Sequence, residues 1–134
     1  MSVEAGRLDA FLAATPYAKF LGLEAGWGAD GLTVALPYRY ALVGNTNLPA
    51  LHGGVLGALL EMTALMALTC ELPSARASTV DFTIEYLRSA GPRETHAAAA
   101  VKRLGRRFAN VEAFAWQDDR MKPVAAISGR FAVG

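Results

Sequence analysis

One cysteine, Cys70, and two histidines, His52 and His96, are all that this 134-residue chain offers to a disulfide, a zinc site or a thiol–imidazole pair. A lone cysteine closes no intrachain disulfide and fits a reducing compartment, so a cytoplasmic location is expected. No Gly-x-Ser-x-Gly stretch occurs, which leaves the nucleophile-elbow hydrolases without their signature. Charge of one sign is missing as well. The 13 basic and 12 acidic residues leave a net +1, too little for a phosphate backbone, so no nucleic-acid partner is expected. The N-terminus carries Glu4 and Asp9 and no basic stretch before an apolar run, so it does not read as a signal peptide. What abounds is apolar: 53% of residues are hydrophobic and 19% charged. With glycine counted and tyrosine left out, the apolar share is about 60%, against about 45–50% in ordinary domains. That composition excludes disorder, and the length suits one core spanning 1–134. The surplus needs a destination beyond a lone small core.

Apolar spacing predicts a helix over about 4–14, with Leu8, Phe11 and Leu12 on one face, then a short turn at Tyr17–Leu21 after Pro16. Together they form an N-terminal helical segment, 1–21, ahead of a core over 22–134. Two strands, about 22–27 and 32–37, are split by Gly28-Ala29-Asp30-Gly31, a hairpin signal. A loop rich in Gly, Asn and Pro covers about 40–52. The segment Gly53–Cys70 is apolar around its whole circumference, the mark of a helix buried on all sides, and Pro73 ends it. Its Glu61 makes it a poor membrane span, and no membrane association is expected. Strict alternation follows, with Val80, Phe82, Ile84 and Tyr86 on one face and Thr79, Asp81, Thr83 and Glu85 on the wet face. Further strands are expected at about 95–104, 106–117 and 122–133. Short connections make the last four sequential antiparallel partners. The predicted architecture is α+β: a curved antiparallel sheet of five or six strands around one long helix.

Glu61 stands alone in that helix. Its helical neighbours Gly54, Gly57, Ala58 and Ala64 are small, so something approaches closely there. A carboxylate in apolar surroundings resists ionisation unless donors compensate, which suits a general base or a nucleophile. Pairing with a basic residue in the core or at a subunit contact is the competing reading. His52-Gly53-Gly54 opens the helix, where the first N–H groups lack partners and meet the positive end of the dipole. Glycine there admits a ligand to the backbone, so a carbonyl or oxyanion site fits, as does a plain tight turn. Gly53 and Glu61 lie about 12 Å apart along one helix, beyond easy reach of one side chain. A site using both would draw them from two antiparallel copies.

The run Leu42-Val43-Gly44-Asn45, then Leu51-His52-Gly53-Gly54-Val55 and Glu61, resembles the hot-dog-fold acyl-CoA thioesterases of the phenylacetate-pathway (PaaI-like) type. The Thr79-Val80-Asp81-Phe82 and Tyr86-Leu87 stretch and the Arg103-Leu104-Gly105-Arg106 turn are also similar to that group. The resemblance covers about residues 20–133. It implies a sheet wrapped on a central helix, a homodimer with interfacial sites, and often a dimer of dimers. It implies that Glu61 is the catalytic acidic residue, as general base or nucleophile, and Gly53 the backbone donor to the thioester carbonyl. Asn45 and His52 would line the site, and Thr79 would orient water or the carboxylate. Most PaaI-like members carry Asp where Glu61 stands, while the related hydroxybenzoyl-CoA thioesterases use Glu. Leu65 stands where some of the latter have a helper Thr.

Candidate acyl-pocket walls are Gly54, Met62, Leu65, Met66 and Phe82. The basic run Lys102, Arg103, Arg106 and Arg107, with Arg88, reads either as a solvated strand end or as a dock for coenzyme A phosphates. No metal and no separate cofactor is implied, coenzyme A being part of the substrate. The literal Gly-x-Gly-x-x-Gly at 26–31 precedes a strand-like stretch, so it is read as a hairpin. Hydrolysis of an acyl-CoA thioester is the expected function. The alternatives are a non-catalytic acyl-CoA-binding module and an acyl-carrier-protein thioesterase.

Overall fold

The computed structural model describes residues 2–45, 47, 50–72 and 76–134. Helix α1 (Val3–Ala14) is capped by Ser2, whose side chain accepts from the Ala5 N–H, and it buries Leu8. Helix α2 (Pro16–Leu21) follows, with proline in the first turn, where its missing N–H costs nothing. Strands β1 (Glu24–Gly28) and β2 (Gly31–Leu36) form the expected hairpin. Gly31 closes the turn at φ 85°, a conformation that favours glycine.

The loop expected over 40–52 carries more structure than its composition suggests. A 3-10 turn at Tyr40–Leu42 leads into β3 (Val43–Asn45), which pairs antiparallel with β4 (Ala50–Leu51). Strands this short leave no periodic pattern to read. Helix α3 (Gly53–Glu71) follows, then β5 (Ser78–Tyr86), β6 (Thr95–Leu104), β7 (Phe108–Trp116) and β8 (Ala125–Ala132). Pro73, expected to end α3, lies outside the described residues.

All neighbouring strands of the six-stranded sheet are antiparallel, in the order β1-β2-β6-β7-β8-β5. The fold class is therefore as expected, but the simple four-strand meander is not. Strand β6 pairs with β2, and β5 crosses to the far side of β8 as an edge strand. Gln117 pins the crossing segment: its amide accepts from the Gly91 N–H and donates to the Gly91 carbonyl, each at 2.9 Å. The Leu87 N–H donates to Val124 O, and the Leu51 N–H to Ala90 O.

The core lies between the sheet and α3. Val34, Ala97, Val111, Ile127 and Phe131 of the sheet are buried with Leu56, Leu59, Leu60, Met66 and Leu68 of the helix. Burying each such aliphatic side chain is worth about 1.5–3 kcal/mol before entropy is charged. Helix α3 is long and apolar enough to cross a membrane by length and composition, and 61% of that stretch is buried within the fold. It is not covered on all sides. Gly53, Gly54, Gly57, Ala58, Glu61 and Leu65 keep access to solvent, so the small residues around Glu61 mark a stripe left open on this chain.

Strand β5 departs from strict alternation. Thr79 pairs with Phe131 and Asp81 with Arg130, so two steps on β5 oppose one on β8 and Val80 is the extra residue of a β-bulge. The bulge reverses the parity of everything before it. Val80, expected on the covered face, is 44% exposed, and Thr79, expected on the wet face, turns toward α3.

Candidate active site

The bulge explains how Thr79 reaches Glu61. The Thr79 hydroxyl donates to Glu61 Oε2 at 2.6 Å, holding one carboxylate oxygen and leaving Oε1 as the oxygen able to take a proton. Glu61 is half-buried on the open stripe of α3 and makes no ion pair among the described residues. The structural alternative, a core carboxylate neutralised by a basic side chain, therefore finds no partner among the described residues of this chain.

Close approach of β5 to β8 accompanies the bulge. Phe82 pairs with Gly129, where a Cβ would stand 2.7 Å from Phe82 Cβ and 3.0 Å from the Asp81 carbonyl oxygen. Only glycine fits there without displacing β5.

At the other end of this stretch of helix, His52 is the N-cap of α3 and its Nδ1 accepts from the Gly54 N–H at 2.9 Å. The His52 carbonyl accepts from Val55 and Leu56 N–H groups. Gly53 N–H is left without a partner among the described residues, at the positive end of a 19-residue helix. Gly44 packs against the cap: a Cβ there would stand 2.9 Å from His52 Cα. The Tyr86 hydroxyl donates to the Gly53 carbonyl at 2.9 Å. An apolar groove of about 370 Å³ leads to Gly53, walled by Leu51, Leu56, Tyr86 and Leu87 with Arg88 at its side.

Gly53 with Tyr86 and Glu61 with Thr79 thus define two ends of one α3–β5 layer. The seven-residue step from Thr79 to Tyr86, one residue of it taken up by the bulge, spans about 20 Å along the strand at about 3.3 Å per residue. One chain does not bring the carboxylate to the Gly53 N–H.

The other expected residues divide. Phe82 and Leu65 are half-buried beside the open stripe, whereas Met62 and Met66 point into the core. Asn45 ends β3, and its side chain lies outside the described residues. Arg103, Arg106 and Arg107 line a pocket of about 490 Å³ together with Phe108 and Arg130. Arg88 is not with them: it donates to the Pro123 carbonyl at 2.7 Å, on the Gly53 side of the molecule. Three residues were not among the site residues expected from the sequence. Arg130 lies over the Phe108 ring at 5.5 Å and 3.6 Å from Asp81. Phe108 opens β7 half-exposed, and Tyr86 sits over the helix N-terminus. Neither Arg130 nor Phe108 belongs to the basic run; strand pairing alone carries Arg130 to the turn.

A family profile described as the thioesterase superfamily matches residues 48–124. Similar solved structures include a Pseudomonas aeruginosa protein, 31% identical over 96% of this chain and 98% of that one, with a TM-score of 0.84. A phenylacetic acid degradation-related protein of Ralstonia eutropha is 26% identical over 94% of this chain and 98% of its own, with a TM-score of 0.80. A Bacillus halodurans protein crystallised with CoA is 26% identical over 98% and 91%, also with a TM-score of 0.80. A comparison with curated proteins finds no match. The chain belongs to the thioesterase superfamily, with the hot-dog fold and the likeness to phenylacetate-type members that its motifs announced.

Proposed function

We propose that the protein hydrolyses an acyl-CoA thioester to the free carboxylic acid and coenzyme A, at a site shared by two copies of the chain. The observation that carries this reading is the pairing of a Thr79-held carboxylate with an unpartnered Gly53 N–H on the same helix, too far apart to serve one substrate in one chain. Antiparallel apposition of two α3 helices along the open stripe sets Glu61 of one chain near Gly53 of the other. The Gly53 N–H donates to the thioester carbonyl oxygen and takes up charge there as the carbonyl carbon becomes tetrahedral. Glu61 Oε1 removes a proton from water as its oxygen bonds to that carbon, or attacks it directly. Where water attacks, the C–S bond then breaks and the proton taken up by Glu61 passes to the departing thiolate, giving coenzyme A and the free acid. Where Glu61 attacks, the thiolate leaves the acyl group on Glu61 as a mixed anhydride, and water hydrolyses it to the free acid while its proton neutralises the thiolate. His52 lines the site beside the carbonyl.

The arginine pocket lies at the Thr79 end of β5, on the face of the sheet turned away from α3. Asp81 pairs with Arg130 next to the Thr79 bulge, which puts Arg103, Arg106, Arg107 and Arg130 at that end of β5. Guanidinium forks suit the phosphates of coenzyme A, and the CoA in the Bacillus halodurans neighbour supports such a ligand. The groove at Gly53 and the half-buried Leu65 and Phe82 supply apolar surface for the acyl group.

Thiol release from a panel of acyl-CoAs tests the reading, with acyl-carrier-protein thioesters as the second arm. Glu61→Gln is expected to lower kcat by about 10²–10⁴ while acyl-CoA still binds. Full activity in that variant overturns the role of Glu61. Binding without thiol release by the wild-type protein favours the non-catalytic module.

A further inference from the structure

We propose that Tyr86 is a positioning residue for the carbonyl-polarising end of α3, acting through the Gly53–Gly54 peptide on His52 and the Gly53 N–H; this rests on the hydrolytic reading above. The Gly53–Gly54 peptide is held at both poles. Its carbonyl accepts from the Tyr86 hydroxyl at 2.9 Å, and its N–H donates to His52 Nδ1 at 2.9 Å. Hydrogen bonds at the two poles of one amide polarise it in the same sense and strengthen one another.

Two consequences follow for the reacting groups. A ring nitrogen that accepts carries no proton, so neutral His52 holds its proton on Nε2, across the ring from the helix. His52 thereby presents an N–H donor on its exposed side, and Tyr86 helps to select that tautomer. Pinning the Gly53–Gly54 plane also fixes the peptide before it, whose N–H is the unpartnered donor. A donor held in place before reaction needs no reorganisation when charge develops.

The ring of Tyr86 acts with its hydroxyl. A Cβ on Gly53 would stand 3.2 Å from the Tyr86 oxygen and 3.3 Å from two ring carbons, so the ring rests directly on the glycine. Tyr86 is 55% exposed, and its side chain caps the helix end instead of filling the core. A purely packing role predicts that the hydroxyl is dispensable; the proposed role predicts that it is not.

Tyr86→Phe keeps the ring and removes the hydroxyl. The expected result is a fall in kcat of about 5- to 20-fold with KM within about twofold, at an unchanged melting temperature. In the same variant, the ¹⁵N resonances of His52, measured without substrate, are expected to move toward a mixture of tautomers. Wild-type kcat, or unmoved His52 resonances, in Tyr86→Phe overturns the proposal. The two readings fail separately: a wild-type protein that releases no thiol overturns the hydrolytic function, whereas the resonances judge Tyr86 with no turnover required.

Discussion

Gly53→Pro removes the N–H group of Gly53 and at the same time nudges the Tyr86 ring that rests on the glycine. Gly53 is the first residue of α3, where proline is tolerated because that N–H makes no helical bond. His52 before it has φ −63° and ψ 132°, the extended conformation that proline demands of its predecessor. The added Cβ meets only the exposed Tyr86 ring, which can give by a few tenths of an ångström. Gly53→Pro is therefore expected to keep the fold, with circular dichroism and melting close to wild type, and to lower kcat by about 10²-fold. Thr79→Val tests the partner end: it keeps the shape, removes the donor to Glu61, and is expected to cost about 10-fold in kcat with less than about 1 kcal/mol in stability. Cys70 stands apart from both. Burial pushes its thiol up, Arg7 opposes that in part, and Glu4 and Glu71 reinforce it. The native protein should hold less thiolate near neutral pH than an unperturbed cysteine and react slowly with aromatic disulfide reagents, quickly once unfolded in urea. Rapid stoichiometric labelling of the native state at pH 7 would contradict this.

At the scale of elements the decisive feature is the Val80 bulge, since without it Thr79 would face away from Glu61. Gly129→Val should force β5 from β8 at that point, because its Cβ would sit 2.7 Å from Phe82 Cβ. A loss of about 1–3 kcal/mol in urea unfolding is expected, with kcat falling at least as far as in Thr79→Val. Wild-type stability in Gly129→Val would show that the strands part without cost. The same bulge marks the limit of what the sequence made legible. Alternation along Phe82–Glu85, the existence of α3 and the bounds of β6 could be read because local pattern reports burial there, whereas the open stripe of α3 and the exposure of Tyr86 could not. An extra residue shifts parity without changing composition, so Val80 read as covered and Thr79 as wet. Strand order was hidden for a different reason: short connections argue for neighbours, but Gln117 and the Gly91 backbone anchor a crossing that no local pattern encodes. Glu61, Gly53 and His52 were legible as singular residues against an apolar background. Tyr86 and Arg130 were not, because their roles arise from partners distant in sequence.

For the whole molecule, the apolar surplus and the split site point to one arrangement. The open stripe of α3 is small and apolar apart from Glu61, and Tyr86 and Leu87 lie exposed at the end of the neighbouring edge strand and just beyond it. In the proposed arrangement a second copy laid antiparallel on this face would cover that surface and join each Glu61 to the partner's Gly53, as an isologous interface requires. Sedimentation should report a homodimer or a multiple of it. Subunit mixing gives the sharper test. Glu61→Gln and Gly53→Pro each remove one half of a shared site, so either homodimer is expected to be nearly inactive. A heterodimer of the two collects both lesions in one site and leaves the other intact. After unfolding and refolding an equimolar mixture, half of the dimers are mixed, and each has one of two sites working. Activity should return to about a quarter of wild type, with KM unchanged. A site contained within one chain predicts no recovery at any mixing ratio, because every chain then carries a lesion in its own site.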